Sequence, residues 1–327
     1  MSGVAVEPMS PARPAAARWS ALGPILLFAA LALVPVAARL GAESYILSLM
    51  TRVVVLGLAA MSLDLLVGYA GLVSFGHAAF LGIGAYAVGI LSAEGLDEGA
   101  LQLAAALAGS ALFALATGAV SLRTRGVSFI MITLAFGQMV FFFATSLAGY
   151  GGDDGTSLSR RSRVFGADLL ASDTVLYYVA LACLMGAYAL CRMVVASRFG
   201  RVLSGARENA TRMEAIGFEP FRYRLAAYVL AGMIAGLCGW LLANHTGFVS
   251  PATMSWQRSG ELIFMVVLGG QGTLHGAILG AVTFLLAEDL LAHLTEHWRI
   301  IFGPLVILAV LFARGGLIGL LRPAPPR

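Results

Sequence analysis

The chain reads as an all-α protein, a polytopic transmembrane helix bundle of about eight to ten spans, some of them interrupted by glycine-rich breaks. Three observations predict this. Apolar residues make up 59% of the 327 positions and charged residues only 12%, with a mean hydropathy of +0.88. A water-soluble domain carries roughly 25% charge, so lipid is the solvent for most of this sequence. Several segments reach the roughly 20 apolar residues that cross the hydrocarbon core as a helix. Those runs are continuous, whereas a β-barrel needs short alternating strands.

The elements follow in order. Residues 1–19 are rich in Pro and Ala, with Arg13 and Arg18 ahead of the first apolar run. No small-residue cleavage pattern follows a short apolar core, so the first span is read as uncleaved. Residues 1–18 are assigned to a flexible cytoplasmic tail, 19–321 to a single transmembrane domain and 322–327 to a C-terminal tail. Spans are predicted near 20–40, 45–66, 76–92, 100–122, 127–148, 173–195 and 224–243, then a broken region at 250–290 and a last span near 298–313. The arginines orient them. Arg13 and Arg18, Arg123 and Arg125, and the cluster from Arg198 to Arg224 fall on one side. Glu94, Asp97 and Glu98, Asp153 and Asp154, and Glu288, Asp289 and Glu296 fall on the other. Arg160, Arg161 and Arg163 run against the bias, and Arg314, Arg322 and Arg327 obey it if the broken region crosses twice. Both termini and the 196–224 loop are therefore placed in the cytoplasm.

Residues 260–290 are too long for one untilted helix and awkward for two, and Gly269, Gly270, Gly272 and Gly276 fall in their middle. A glycine weakens a helix by about 1 kcal/mol relative to alanine, so four so close interrupt it. Inside a bilayer a break is tolerated only where it is buried in protein or lines a cavity. The same argument covers 68–86, with Gly68, Gly71, Gly76, Gly82 and Gly84. Two such segments in different halves point to a pathway between them. Close helix packing through small residues is the other reading.

Composition excludes several chemistries. All 21 basic residues are arginine. Without lysine there is no P-loop for ATP and no Schiff base for retinal or pyridoxal phosphate. Nucleic-acid binding needs a basic soluble surface for which the chain has no room. Cys183, Cys191 and Cys238 are odd in number, lack metal-site spacing and fit apolar packing. His293 and His297 are spaced i, i+4, but without further ligands beside Glu288 and Asp289 they read as a wet face.

Against this background the segment Ala196–Arg224 stands out, with six arginines and three glutamates between apolar runs. Arg201–Gly205 reads as a polar lead-in and Ala206–Ile216 as an amphipathic helix of about three turns. Gly217 is a natural residue to stop it, and Pro220 bars continuation. Elsewhere, Asp64 is a costly carboxylate near the end of an apolar run: a functional group, or one solvated at the boundary. His77 and His275 sit in the glycine-rich segments, either satisfying backbone groups or gating a path. Ser128, Thr133 and Gln138 are polar points for interhelical bonding or for that path. Gly151–Gly155 reads as turns, since calcium-loop spacing is missing.

Four motifs, GYAGLVSFGHAAFLGIGAYAV at 68–88, RGVSFIMITLAFGQ at 125–138, the 197–223 loop and VVLGGQGTLHGAILGA at 266–281, together resemble the inner-membrane permeases of branched-chain amino acid ABC importers. The resemblance covers roughly residues 45 to 320 and is closer to the LivM type than to the LivH type. It implies a multi-pass bacterial inner-membrane subunit that is not itself an enzyme. Its partners would be a second, LivH-type permease, two cytoplasmic ATPases that hold ATP and Mg, a periplasmic substrate-binding protein and the bilayer. No cofactor is expected in this chain, and no metal or nucleic acid. Arg207, Glu208, Asn209, Ala210, Arg212, Glu214, Ala215 and Gly217 would form the loop that couples to the ATPases. Gly68, Gly71, Ser74, Phe75, Gly76, His77, Gln138, Gly269, Gly270, Gly272 and His275 would border the translocation path. Asp64 stands where the family usually shows Asn, which unsettles an exact transfer of path residues. Urea or short amides are an alternative cargo. An ion-coupled secondary transporter would need several intramembrane carboxylates, and only Asp64 and Glu261 come near that description.

Overall fold

The computed structural model describes residues 14–38, 43–163, 166–294, 297, 300–304, 307 and 315–321. The long helices are α1 (Pro14–Ala38), α2 (Glu43–Asp64), α3 (His77–Ala93), α4 (Gly99–Ser121), α5 (Val127–Ser146) and α6 (Asp173–Ala196). They are followed by α7 (Arg198–Glu208), α8 (Ala210–Ala215), α9 (Pro220–Thr246), α10 (Trp256–Gly269) and α11 (Leu274–Leu294). Among the described residues six helices are long and apolar enough to cross a membrane, and Gly23–Ala38 and His77–Ala93 are apolar but shorter. The last predicted span, both chain ends and Glu296 lie wholly or largely outside the described residues. α1 begins at Pro14, inside the stretch assigned to the N-terminal tail.

Burial sorts the helices. α2 is buried nearly all round, as expected of a helix apolar on every face. α5 and α6 keep apolar residues such as Met131, Phe142 and Met185 exposed, the pattern of a surface that meets lipid. α1 lies against α6, with the Phe28 and Tyr188 rings 5.2 Å apart and the Tyr177 hydroxyl donating to the Leu31 carbonyl at 2.6 Å. α3, α4 and α9 form the tightest group: Phe80 meets both Tyr228 and Phe113 edge to face. The predicted break over 68–86 is corrected here in its second half. Gly82 and Gly84 lie within the regular helix α3, where neighbours come too close for a side chain. A Cβ on Gly84 would sit 2.1 Å from the Gly236 carbonyl oxygen, which is small-residue packing.

The broken region is interrupted where its glycines predicted, at 270–273. It is two helices, and α10 and α11 form an antiparallel hairpin with Gly269 against Gly276 and Met265 against Gly280. The glycines sit at the hairpin turn and along its contact face rather than in mid-span. α10 has 14 residues, about 21 Å of helix, short of the roughly 30 Å core. The preceding chain makes up the difference in irregular form. Val249 lies beside Gly89 and Met254 beside Gly82, and within the first turn of α10 Ser259 Oγ accepts from the Ala78 N–H at 3.0 Å. The segment thus descends along α3 before α10 begins.

The bundle has two recognisable ends. At one, Thr156–Ser157 pairs antiparallel with Phe248–Val249, Ser162 N–H donates to Asn244, and Tyr45 and Arg52 reach Asp289 and Glu288. At the other lie α7, α8, the C-terminal end of α2 and the α10–α11 turn, with Gly316 packed on Gly270.

Candidate functional site

Three sequence elements meet at the second end. α2 does not stop at Asp64; it widens into a π-helical stretch, Leu65–Ala70, closed by Gly71 in the left-handed region. Such wide turns leave carbonyls free for outside partners and recur at functional sites. Gly68 in this stretch packs on the α10–α11 turn. A Cβ added to it would lie 2.4 Å from the Gly272 nitrogen, so only glycine fits. Asp64 Oδ1, one turn earlier, accepts from the Gly272 N–H at 2.8 Å. From the loop, the Arg207 guanidinium donates to the Gly68 carbonyl, and its stem covers Gly71.

The structure decides the open reading of Asp64: it lies at the end of the bundle that bears the loop, yet it is fully buried in protein rather than solvated. Its apolar run continues through Leu65, Leu66 and Val67, and other helices cover it from all sides. Charge periodicity carries no sign of this, because the partners are a backbone N–H and a loop arginine distant in sequence.

A second knot lies beyond Gly71. Phe75 N–H donates to Thr133 Oγ1 at 3.3 Å, and Gly76 and Gly137 lie face to face between α5 and the Phe75–Gly76 turn. His77 is fully buried with Nε2 2.8 Å from Ser62 Oγ, while its ring lies edge-on to Phe80. Ser74 is buried beside them. Gln138, next to Gly137 on α5, is half-buried; Ser128 is exposed. His275 does not join this knot. With Tyr69, Tyr188, Arg192 and Gly272 it lines a separate open cleft of ≈ 280 Å³ beside α6. Gly269, Gly270 and Gly276 shape the hairpin turn, where Thr273 Oγ1 donates to the Gly270 carbonyl at 2.6 Å. The structure therefore joins Gly68, Gly71, Gly272 and Arg207 in one place and Ser74 to His77 in another.

The charged loop departs from prediction at its centre. The expected helix over Ala206–Ile216 is two helices, and the supposed polar lead-in is already helical. Ser197 starts α7 by accepting from the Phe199 N–H at 3.1 Å. Asn209 then breaks the run: its backbone is extended and its Oδ1 accepts from the Arg212 N–H at 2.9 Å, capping α8. Both are preferred N-cap residues, and that was the available signal. Gly217 ends α8 as expected. At φ 92° it donates to Glu214, and Phe218 N–H donates to Met213, a paired closure that favours glycine. Pro220 opens α9 in its first turn. Arg224 donates to the Ala206 carbonyl at 2.7 Å and so ties α9 back to α7.

Glu208, Arg212, Glu214, Ala215 and Gly217 face solvent, whereas Ala210 is buried. Ile216 is exposed too, at 62%, and a groove of ≈ 660 Å³ runs beside the loop between Phe199, Arg201, Met213 and Tyr223. At the opposite end two of the three arginines that defied the charge bias are paired locally. Arg161 meets Asp173 at 2.7 Å, and Arg163 meets Asp168 at 2.8 Å. Arg163's hydrogen bond holds the Asp168 carboxyl below the usual range. His293 lies 2.8 Å from the Tyr45 hydroxyl, and among the described residues no group of three His, Cys, Asp or Glu could hold a metal.

Residues 45–311 match the family described as branched-chain amino acid transport system / permease component. The high-affinity branched-chain amino acid transport system permease protein LivM of Escherichia coli (strain K12) is 30% identical over 295 residues, 83% of this chain and 68% of the relative. The permease protein LivH of the same organism is 26% identical over 299 residues, 84% of this chain and 96% of its own. The autoinducer 2 import system permease protein LsrC of Enterobacter sp. (strain 638) is 31% identical over 226 residues, 64% of this chain and 63% of its own. No solved structure matches the chain. With its bundle of apolar helices, this chain belongs to the family of branched-chain amino acid transport permease components, multi-pass proteins of the inner membrane.

Proposed function

We propose that this chain forms one half of the path of an ATP-driven importer and carries branched-chain or other apolar amino acids handed over by a periplasmic binding protein. The family match over residues 45–311 carries the reading. A LivH-type chain supplies the other half, and two cytoplasmic ATPases hold ATP and Mg. The end that bears α7 and α8 faces the cytoplasm, together with both termini.

The exposed surface around the α7–α8 junction and along α8, with Glu208, Asn209, Arg212, Glu214 and Ala215, docks on an ATPase, and Ile216 is buried in that contact. When the ATPases close, the loop moves and its contacts at Gly68 and Gly71 carry the movement to the α2 end and the α10–α11 turn. The knot at Ser74, Phe75, Gly76, His77 and Gln138 borders the path. A short, capped helix suits this transfer because it moves as a rigid body, whereas a floppy loop would absorb the displacement.

The test is reconstitution of the full complex in liposomes together with loaded binding protein. ATP-dependent uptake of labelled leucine, isoleucine or valine is expected. Uptake that proceeds without the ATPases would overturn the ATP-driven reading. Uptake of an autoinducer-2-type sugar, urea or short amides in place of amino acids would overturn the cargo alone.

A further inference from the structure

Arg207, exposed as a residue overall, touches the glycine stretch at two points, donating to the Gly68 carbonyl and laying its stem over Gly71. Asp64, on the same helix one turn before Gly68, is fully buried. One of its oxygens accepts from the Gly272 N–H, the Thr273 N–H also turns towards the carboxyl group, and the other oxygen has no hydrogen-bond partner among the described residues. A carboxylate in such a place is costly when left alone. The cation within electrostatic reach of it is Arg207, and a guanidinium keeps its charge throughout. An asparagine would accept from Gly272 equally well. What a carboxyl group adds is the capacity to carry charge, and Arg207 is a cation placed to favour that charge.

We infer that Arg207 and Asp64 are positioning residues that tie the α7–α8 loop to both glycine segments at once. This rests on the coupling role proposed above and goes beyond docking of the loop on an ATPase. While Arg207 is seated, the loop, the π-helical end of α2 and the α10–α11 turn form one body. Withdrawal of α7 removes the donor from Gly68 and the countercharge from Asp64 in the same step. The arrangement therefore has two discrete states, seated and released, rather than a graded range.

The test compares wild type, Arg207→Gln and Arg207→Gln/Asp64→Asn in the full reconstituted complex, with two readouts. The first is uptake per ATP hydrolysed; the second is amide exchange of the 266–276 peptide. In Arg207→Gln, uptake per ATP falls about tenfold while hydrolysis persists. The turn also exchanges about tenfold faster, because its acceptor has lost a countercharge. The double variant returns exchange towards wild type, since no stranded charge remains and the introduced amide oxygen still accepts from the Gly272 N–H. It stays uncoupled, because the tie to the loop is gone.

Normal coupling or unchanged exchange in Arg207→Gln would overturn the inference. So would a double variant that recovers uptake along with exchange, which would mean Arg207 merely neutralises Asp64. Failure of the functional reading is separate: it shows as a wild-type complex without ATP-driven uptake, and the exchange readout still decides the tie.

Discussion

The two glycine-rich segments look alike in sequence and are built differently. The 68–76 stretch is a helix that widens, ends at Gly71 and then runs irregularly to His77. It is held from outside, by Thr133 on α5, by Ser62 on α2 and, at its far end, by Ser259 on α10. The 269–276 stretch is a tight hairpin turn in which Thr273 donates to Gly270 and Gly269 packs on Gly276, while Asp64 accepts from Gly272 and Gly316 is seated on Gly270 from outside. One is a widened helix end stapled by side chains of its neighbours, and the other a tight corner braced by its own contacts together with Asp64 and Gly316. They meet where Gly68 faces Gly272. Glycine thus marks close approach in the first and backbone turning in the second, although composition alone cannot distinguish the two uses.

Substitutions can break this contrast, and the largest effect is expected at the meeting point. Gly68→Val places carbon atoms where the Gly272 backbone already lies, so the turn must move. A loss of about 3 kcal/mol is expected from such overpacking, read as a lower melting temperature of the detergent-solubilised protein. Wild-type melting would show that the two segments do not touch.

Next comes Ser259→Ala, which removes the hydroxyl that accepts from Ala78 N–H in the interior. A buried donor left without its partner costs about 1–3 kcal/mol. The loss should appear as faster amide exchange at 74–80 with the hairpin turn unaffected, and an equal response in both segments would dissolve the distinction drawn above.

Gly272→Ala should cost less, about 1 kcal/mol, because the turn has room for a methyl group and the penalty is the left-handed backbone at φ 75°. Asparagine tolerates that region better, so Gly272→Asn melting above Gly272→Ala would support a conformational cause.

The smallest effect belongs to the opposite end. Asp168's carboxyl is depressed by Arg163, so its contribution is present above the unfolded value of about 4 and fades as pH falls through the lower folded value. Since both groups are exposed, the expected sign is a modest acid loosening of residues 160–173, followed by amide exchange. Asp168→Asn should remove that pH response.

Much of the fold was legible because lipid imposes it. Continuous apolar runs predicted α4, α5 and α6 to within a few residues, and Gly217 predicted where the loop helix ends, whereas α9 begins at Pro220, four residues before the span expected from 224. Within the candidate site legibility was partial. The glycine segments were singled out, but the break at Asn209 was missed because helix-forming neighbours outweighed a single capping side chain. The reading of Asp64 stayed open for a similar reason: hydropathy measures a segment's solvent and says nothing of which neighbours surround one residue.

The medium, the helical class, the order of the crossings and the charged loop between two of them can all be read without coordinates. These depend on composition and local periodicity, which the chain carries in every window of residues. Packing in three dimensions was needed to establish that Gly82 and Gly84 serve close helix contact, that the broken region is a hairpin, and that Asp64, Gly68, Gly272 and Arg207 share one place. Those four positions span more than half the chain, and their contacts run largely through backbone groups that every residue possesses. Local sequence has no means of stating which N–H a distant carboxylate will find.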